Sequence, residues 1–488
     1  MLDKCCFVLC FTGCDLLFLT YLAVCGVGGQ LVDYLQIFGY ISRMKRILLI
    51  GNCPLPEEDS KSRPAAGLRT YQFLKPLSEG GYDVRPVMIS MPECYDALPG
   101  GEGVFSKDDK DLIVKIQAIH DEFHPDAIVA VNTFPSYIAS LLDSRVAFWA
   151  DLNGWIMAEA QAQAHKEGGN EYLGHYFGME MSILKKADKI SAVSKAQEFA
   201  LLGELAGLGR LNNESFSYPF VEHIPNATEL FKGEAGEGVV VGASFPGVPE
   251  DAFVLLWMGG YNTWVDEITL FKGVEDAMKS CPNLYFVSTG GGIKGLGEKT
   301  FLKFKDMVEG SEFAKRFVFL GWVSTSEIPA IYRAADVGLN VDKICVETLT
   351  GARNRINEMM KFGLPVISTL GSEVAGEMAL CGAGIGVESG KHEALTAAIL
   401  EIFHQRHNTH FKQYGEKGME YTARNNYKAA LRPLLRWLEN PRPAPDRGVK
   451  IRLGGLGFGG LGLPAIWKYL KENGFKKSFA KFRQKVGF

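Results

Sequence analysis

The 488-residue chain contains no Cys-x-x-Cys pair. Cys5, Cys6, Cys10, Cys14 and Cys25 crowd the start, and Cys53, Cys94, Cys281, Cys345 and Cys381 are scattered. That pattern argues against a zinc site and against a disulfide framework, and it fits a reducing cytosol. No Asp-x-Asp is flanked by apolar strand residues, and no cluster has metal-ligand spacing, so no catalytic metal is expected. A strong charge bias is also missing. The formal net charge is −4, with 47% hydrophobic and 22% charged residues, so nucleic acid is not an expected partner. A clean membrane span is lacking too. Leu16–Val32 carries no charge, but it is bounded by Asp15 and Asp33 and broken by Gly26, Gly28 and Gly29. It falls short of the ~20 apolar residues a crossing helix needs. Residues 1–43 fit two readings. One is a short anchor with Arg43, Lys45 and Arg46 on its cytoplasmic flank. The other, favoured here, is an over-extended reading frame in which Met44 is the start.

What is present is alternation. "RILLIG" (46–51), "DVRPVMIS" (83–90), "PDAIVAVN" (125–132) and "VAFWADLN" (146–153) read as buried strands, with amphipathic helices between them. The pattern then restarts with "FVLLWMGG", "NLYFVSTGGG", "RFVFLGWV", "VGLNV", "LPVIST" and "GIGVES". Near-continuous apolar strands separated by helices imply parallel sheets covered on both faces. The expected fold class is α/β, with two Rossmann-like doubly wound domains facing a cleft. The expected domains are a leader over 1–43, a first domain over 44–227, a second over 250–425, and an amphipathic helix with a basic tail over 426–488. From Asn440 to Phe488 eleven Lys/Arg face only Asp446 and Glu472. A basic, aromatic-bearing tail on an acidic body suggests a peripheral membrane contact, with a helix packed on its own domain as the alternative.

Four segments, in order, carry a resemblance. "ILKKADKISAVSKAQ" (183–197), "HIPNATE" (223–229), "FVFLGWVSTSEIPAIYRAADVGLN" (317–340) and "NEMMKFGLPVIST" (357–369) resemble the GT-B glycosyltransferases, specifically the retaining family four. The resemblance runs from Met44 to about Asn425. It implies a nucleotide-sugar as co-substrate, no cofactor, and binding at the carboxyl ends of the second domain's strands.

The resemblance also implies site residues. Glu358 matches the family's second paired glutamate, which accepts hydrogen bonds from ribose. The first of that pair would fall at Thr350, and Glu347 stands three residues early. Lys272 falls at the family's phosphate lysine, where a point charge would offset the leaving diphosphate. Arg353, beside Gly351 and Arg355 near a helix start, is a second diphosphate candidate; a surface arginine is the alternative. Gly290, Gly291 and Gly292 follow a strand and would let backbone approach the nucleotide. The family's other phosphate arginine is missing from "GGYNTWVDE" (259–267), so Asn262, Trp264 and Asp266 are candidates for sugar contacts, with a capped turn as the alternative. In the first domain Gly67 would allow donor approach, and Asp151 is the candidate for orienting the acceptor, with a buried, satisfied aspartate as the alternative. The expected catalytic group is therefore Asp151, Lys272 and Arg353.

The reaction so implied is sugar transfer from a nucleotide donor to a glycan or lipid-linked acceptor, with retention and without metal. It would belong to surface polysaccharide synthesis at the cytoplasmic face of a membrane. A catalytically silent GT-B scaffold and another nucleotide-sugar enzyme, such as an epimerase, are the alternatives.

Overall fold

The structure is a computed structural model and describes residues 44–58, 64–90, 103–231, 234, 245–292 and 297–449. The leader, the glycine-rich stretch after Val449 and the basic tail lie outside the described residues.

The first sheet has seven strands: β1 (Arg46–Cys53), β2 (Asp83–Ser90), β3 (Val104–Ser106), β4 (Ala127–Val131), β5 (Ala147–Leu152), β6 (Lys189–Ala192) and β7 (Val221–His223). Its order is β3-β2-β1-β4-β5-β6-β7, and every pairing is parallel. Helices α1 (Ala65–Glu79), α2 (Leu112–Phe123), α3 (Thr133–Leu141), α4 (Ile156–Glu167), α5 (Glu171–Lys186) and α6 (Lys195–Gly207) make the connections. The strands read as apolar runs because both faces are covered. Leu48, Ile50, Ile128 and Ala150 pack into one core, and Ile47, Leu49, Val129 and Trp149 into the other.

The second sheet has six: β8 (Phe253–Trp257), β9 (Leu284–Thr289), β10 (Phe317–Gly321), β11 (Val337–Asn340), β12 (Val366–Thr369) and β13 (Gly384–Val387), in the order β10-β9-β8-β11-β12-β13. All six expected strands of this half are present. Its helices are α7 (Glu267–Ser280), α8 (Glu298–Glu309), α9 (Ile328–Ala334), α10 (Val346–Thr350), α11 (Asn354–Lys361), α12 (Glu373–Cys381), α13 (His392–Gln405) and α14 (Thr409–Arg424). In both sheets the order reverses beside the first strand, which opens a crevice at the carboxyl ends. The fold is therefore two Rossmann-like layers facing a cleft.

The stretch expected as one amphipathic helix after the second domain is two short ones, α15 (Tyr427–Ala430) and α16 (Arg432–Leu438). Pro433 sits in the first turn of α16, where a missing N–H costs nothing. The apolar face of this pair returns to the first domain. Leu431, Leu434 and Leu438 are buried with Leu49, Phe73 and Trp149, and Trp437 lies 5.4 Å from Trp149, centroid to centroid. Beyond them Asp446 takes a two-pronged pair from the buried Arg210. Leu434→Ala is expected to cost about 2–5 kcal/mol of first-domain stability. Denaturant unfolding followed by the tryptophan signal of that core checks it; an unchanged midpoint would mean that the return is not part of the core.

Candidate active site

Local chemistry explains how each wall of the cleft is built. In the first domain three asparagines line the carboxyl ends of neighbouring strands. Asn132 Nδ2 donates to Asn52 Oδ1 at 3.1 Å, and Asn153 Nδ2 donates to Asn132 Oδ1 at 3.1 Å. Below them Asp151 is fully buried. Arg69 holds it with two parallel bonds, Nε to Oδ2 at 3.0 Å and Nη2 to Oδ1 at 2.7 Å, and Ser191 Oγ adds a third at 2.6 Å. The surroundings of Asp151 are those of a satisfied buried counter-ion. Gly67 also has a packing reason: a Cβ there would meet the Pro54 carbonyl oxygen at 1.8 Å.

Arg69 carries the wider consequence. Its remaining donors reach Ile224 O at 2.8 Å, Pro225 O at 3.1 Å and Asn226 Oδ1 at 2.9 Å. These residues begin the joint between the domains. From the other side Asn357 Nδ2 donates to Asn226 O at 2.9 Å, and Thr228 Oγ1 donates to Glu358. Glu358 also pairs with Lys361 at 2.9 Å, and Lys361 reaches Glu234 at 3.0 Å. The carboxylate assigned to ribose by resemblance is thus buried, beside the joint, and held in place by neighbours.

The second domain's crevice opens where the strand order reverses, between β8 and β11, with the β8 and β9 turns at its rim. Gly290 has φ +71°, and a Cβ on it would lie 2.5 Å from the Gly259 carbonyl group, so only glycine fits this approach. Gly291 O accepts from Tyr261 N at 3.0 Å; Gly292 lies against Glu298 of α8. Asp266 caps α7, accepting from Thr269 N at 3.1 Å and Thr269 Oγ1 at 2.8 Å, so the capped turn is present, one turn later than Asn262 or Thr263. Lys272 is exposed on α7, about 8 Å along the axis from its start, with no ion-pair partner among the described residues.

Arg353 is not on the surface. It is buried between Asp342 and Glu347, with Nη2 to Glu347 Oε2 at 2.7 Å and Nε on Asp342 Oδ2, and its guanidinium carbon lies 5.3 Å from the Trp264 ring centroid. Burial disfavours its charge, but the two carboxylates hold its pKa above the ordinary arginine value. Gly351 makes room for this: a Cβ would come within 2.5 Å of Glu347 Oε1. The displaced Glu347 is therefore engaged inside its own domain. Thr350 serves the domain contact, its carbonyl accepting from Ser194 Oγ at 2.6 Å.

Sequence reading named Arg355 only as a cation beside Arg353, and it missed Glu159. Arg355 points from α11 to the β8 turn. Its Nη2 donates to Gly260 O at 2.9 Å, its guanidinium lies 4.1 Å from the Trp257 ring, and its buried Nη1 has no partner. A cation thus stands where "GGYNTWVDE" has none, and the clue was its helical spacing from Glu358. Glu159 lies in the first turn of α4, which packs against α10. Burial, with the nearby Glu347, pushes its carboxyl up to about 8, partly offset by Arg353. No apolar or charge pattern marks it in the sequence. Among the described residues no group of three or more His, Cys, Asp and Glu is arranged to hold a metal, and no helix is long and apolar enough to cross a membrane.

Residues 252–405 match the family model described as glycosyl transferases group 1. The chain has the GT-B fold, and its second domain is similar to the group 1 glycosyl transferases. No curated protein matches it. Among solved structures it is similar to sucrose-phosphate synthase from Thermosynechococcus elongatus, at 17% identity and TM-score 0.59 over 81% of this chain and 98% of that one. It is also similar to Anabaena HepE in complex with UDP and glucose, at 15% identity and TM-score 0.55 over 81% and 99%. A third likeness is the E. coli trehalose-6-phosphate structure bound with UDP-2-fluoro glucose, at 10% identity and TM-score 0.58 over 82% and 100%. These likenesses are of fold.

Two outcomes are expected from these contacts. Arg353→Met strands Asp342 and Glu347 as uncompensated buried charges, and should cost about 3–5 kcal/mol in denaturant unfolding at neutral pH. An effect under ~1 kcal/mol would show that the triad is solvated. The second concerns Glu180 on α5, which is fully buried with neither oxygen hydrogen-bonded. Burial raises its pKa to about 9, with Glu204 and Glu159 adding to the shift and the nearby Trp155 N–H opposing it. Between the unfolded value of ~4.5 and 9 the folded state holds a proton that the unfolded state has lost. The unfolded state then binds fewer protons, so this residue makes stability fall as pH rises through that window. Glu180→Gln removes that term, so its stability relative to wild type should grow from pH 5 to pH 9; a constant difference across thermal melts would contradict the assignment.

Proposed function

We propose that this protein transfers a sugar from a nucleotide-sugar, held by the second domain, to a glycan or lipid-linked acceptor, held by the first, with retention at the anomeric carbon. The observation that carries the reading is Arg355. Its guanidinium sits at the Gly259–Gly260 turn with one N–H unpartnered, on the helix that also bears Glu358. A diphosphate needs a cation and close backbone approach, and a ribose needs a fixed acceptor of hydrogen bonds. The β8 and β9 turns, Arg355 and Glu358 are suited to those tasks. Lys272 is the further cation in this reading. The Anabaena structures in complex with UDP, with UDP and glucose, and with UDP-glucose support the same choice of donor class.

In this reaction the departing phosphate takes the proton of the attacking acceptor hydroxyl on the same face of the sugar. A protein base is then not needed, which agrees with Asp151 being occupied by Arg69. Arg353 holds Glu347 and Asp342 in place beside the donor rather than touching phosphate itself. The basic tail supports an acceptor at the cytoplasmic face of a membrane, where anionic headgroups attract lysines.

Titration calorimetry with UDP, GDP and ADP tests the donor site. One of the three is expected to bind, and Glu358→Ala and Arg355→Gln should each weaken it about 10- to 100-fold, the range for hydrogen bonds to charged groups. Binding of none of them would favour a silent scaffold. Binding unchanged in both variants would move the site elsewhere.

A further inference from the structure

On the first-domain wall, Glu159 faces Glu347 and Arg353 of the second domain. It stands in the first turn of α4, directly after the carboxyl end of β5, on the helix that meets α10 of the second domain. The chain reaches α4 through Gly154, whose φ is +102°. A Cβ at Gly154 would lie 2.7 Å from Glu159 Oε1, so the glycine leaves room for this carboxyl. Oε1 therefore lies back over the β5 turn rather than out along the helix. Glu159 is half-buried, and its carboxyl has no hydrogen bond or ion pair among the described residues. Every other acid near it is engaged or enclosed. Glu347 is bound to Arg353, Glu204 accepts from Trp155 Nε1 at 3.1 Å, and Glu180 is sealed in the helical layer.

Resting on the donor reading above, we infer that Glu159 is a substrate-contacting residue whose carboxyl hydrogen-bonds a hydroxyl of the donor sugar. In this inference the sugar lies beyond the diphosphate, toward α10 and Thr350; α4 and α6 are the first-domain helices that meet α10, and Glu159 is the acid that α4 brings there. A carboxylate there would face the negative field of Glu347. A carboxylic acid instead both donates and accepts, and so matches a hydroxyl, which does the same. The groups that face it are Glu347 of α10, Arg353 at the start of α11, and Glu180 and Tyr176 of α5. Arg353 is spent on two carboxylates, so the balance around Glu159 favours its proton. The sign follows: the donated hydrogen bond is present below a pH of about 8 and is lost as the carboxyl ionises above it.

The test compares a nucleotide with its sugar conjugate on the full chain. Calorimetry is run with UDP, GDP and ADP and with UDP-, GDP- and ADP-hexoses, from pH 6.5 to 9.5. Wild type should bind the matching nucleotide-sugar more tightly than the bare nucleotide at pH 7 and lose that advantage above pH 8. Glu159→Gln keeps the donor and the shape, and should keep the advantage at every pH. Glu159→Ala should lose about three- to tenfold in affinity for the sugar conjugate, the size of one neutral hydrogen bond, with bare nucleotide affinity unchanged. If Glu159→Ala binds the conjugate as wild type does while the nucleotide still binds, the inference is overturned and the donor reading survives. A pH profile in Glu159→Gln that still falls above 8 overturns it as well. If no nucleotide binds, the donor reading fails and this inference falls with it.

Discussion

One buried ion pair organises the first domain and reaches beyond it. Arg69 meets Asp151 two-pronged, fully buried, and spends its other donors on Ile224, Pro225 and Asn226. Such a pair is costly to desolvate and is retained only when every donor is used. Here it fixes the first residues of the joint to α1 and β5. The same joint offers Asn226 O to Asn357 and Thr228 to Glu358. A rigid chain of contacts therefore runs from the core of the first domain to the helix carrying the nucleotide candidates of the second. The position of Glu358 in the cleft depends on an aspartate that itself has no reason to touch substrate.

Charge in the second domain is arranged by the same logic. Arg353 with Asp342 and Glu347, and Lys361 with Glu358 and Glu234, are two buried clusters in one short segment. Each cation is matched by two carboxylates. The first holds the α10–α11 turn in shape, and the second ties the end of α11 to Glu234. Arg355, with an unpartnered N–H, and the exposed Lys272 are not bound into either cluster. Across the cleft, contacts such as Ser194 to Thr350, Lys195 N to Glu373 and Lys299 to Glu167 tie the walls together. The cleft is thus bounded on one side by the β8 and β9 glycine turns and on the other by the start of α4.

Much of the fold was legible because parallel strands are covered on both faces and read as unbroken Val, Ile and Leu. Every strand of the second sheet shows this in the sequence, as do β1, β2, β4 and β5. β3 and β7 are three residues each and gave no apolar run to see. The candidate site was less legible. Glu358, Gly290 and Lys272 could be marked by the resemblance, because their spacing to strand ends is local. What each side chain meets is not local. Arg353 finds Asp342 and Glu347, Asp151 finds Arg69 eighty-two residues away in sequence, and Arg355 turns back to Gly260. Glu159 was invisible because its character comes from burial against another domain. The tail and the leader lie outside the described residues, so their membrane roles rest on charge and hydropathy.

The most direct measurement is a crystal structure of the protein with the nucleotide that binds it. The account predicts the diphosphate against the Gly259–Gly260 and Gly290 turns with Arg355 Nη1 in contact, and the ribose hydroxyls on Glu358, while Arg353 keeps its two carboxylates and Asp151 keeps Arg69. A nucleotide bound away from the carboxyl ends of β8 and β9, or ribose hydroxyls with no contact to Glu358, would contradict it.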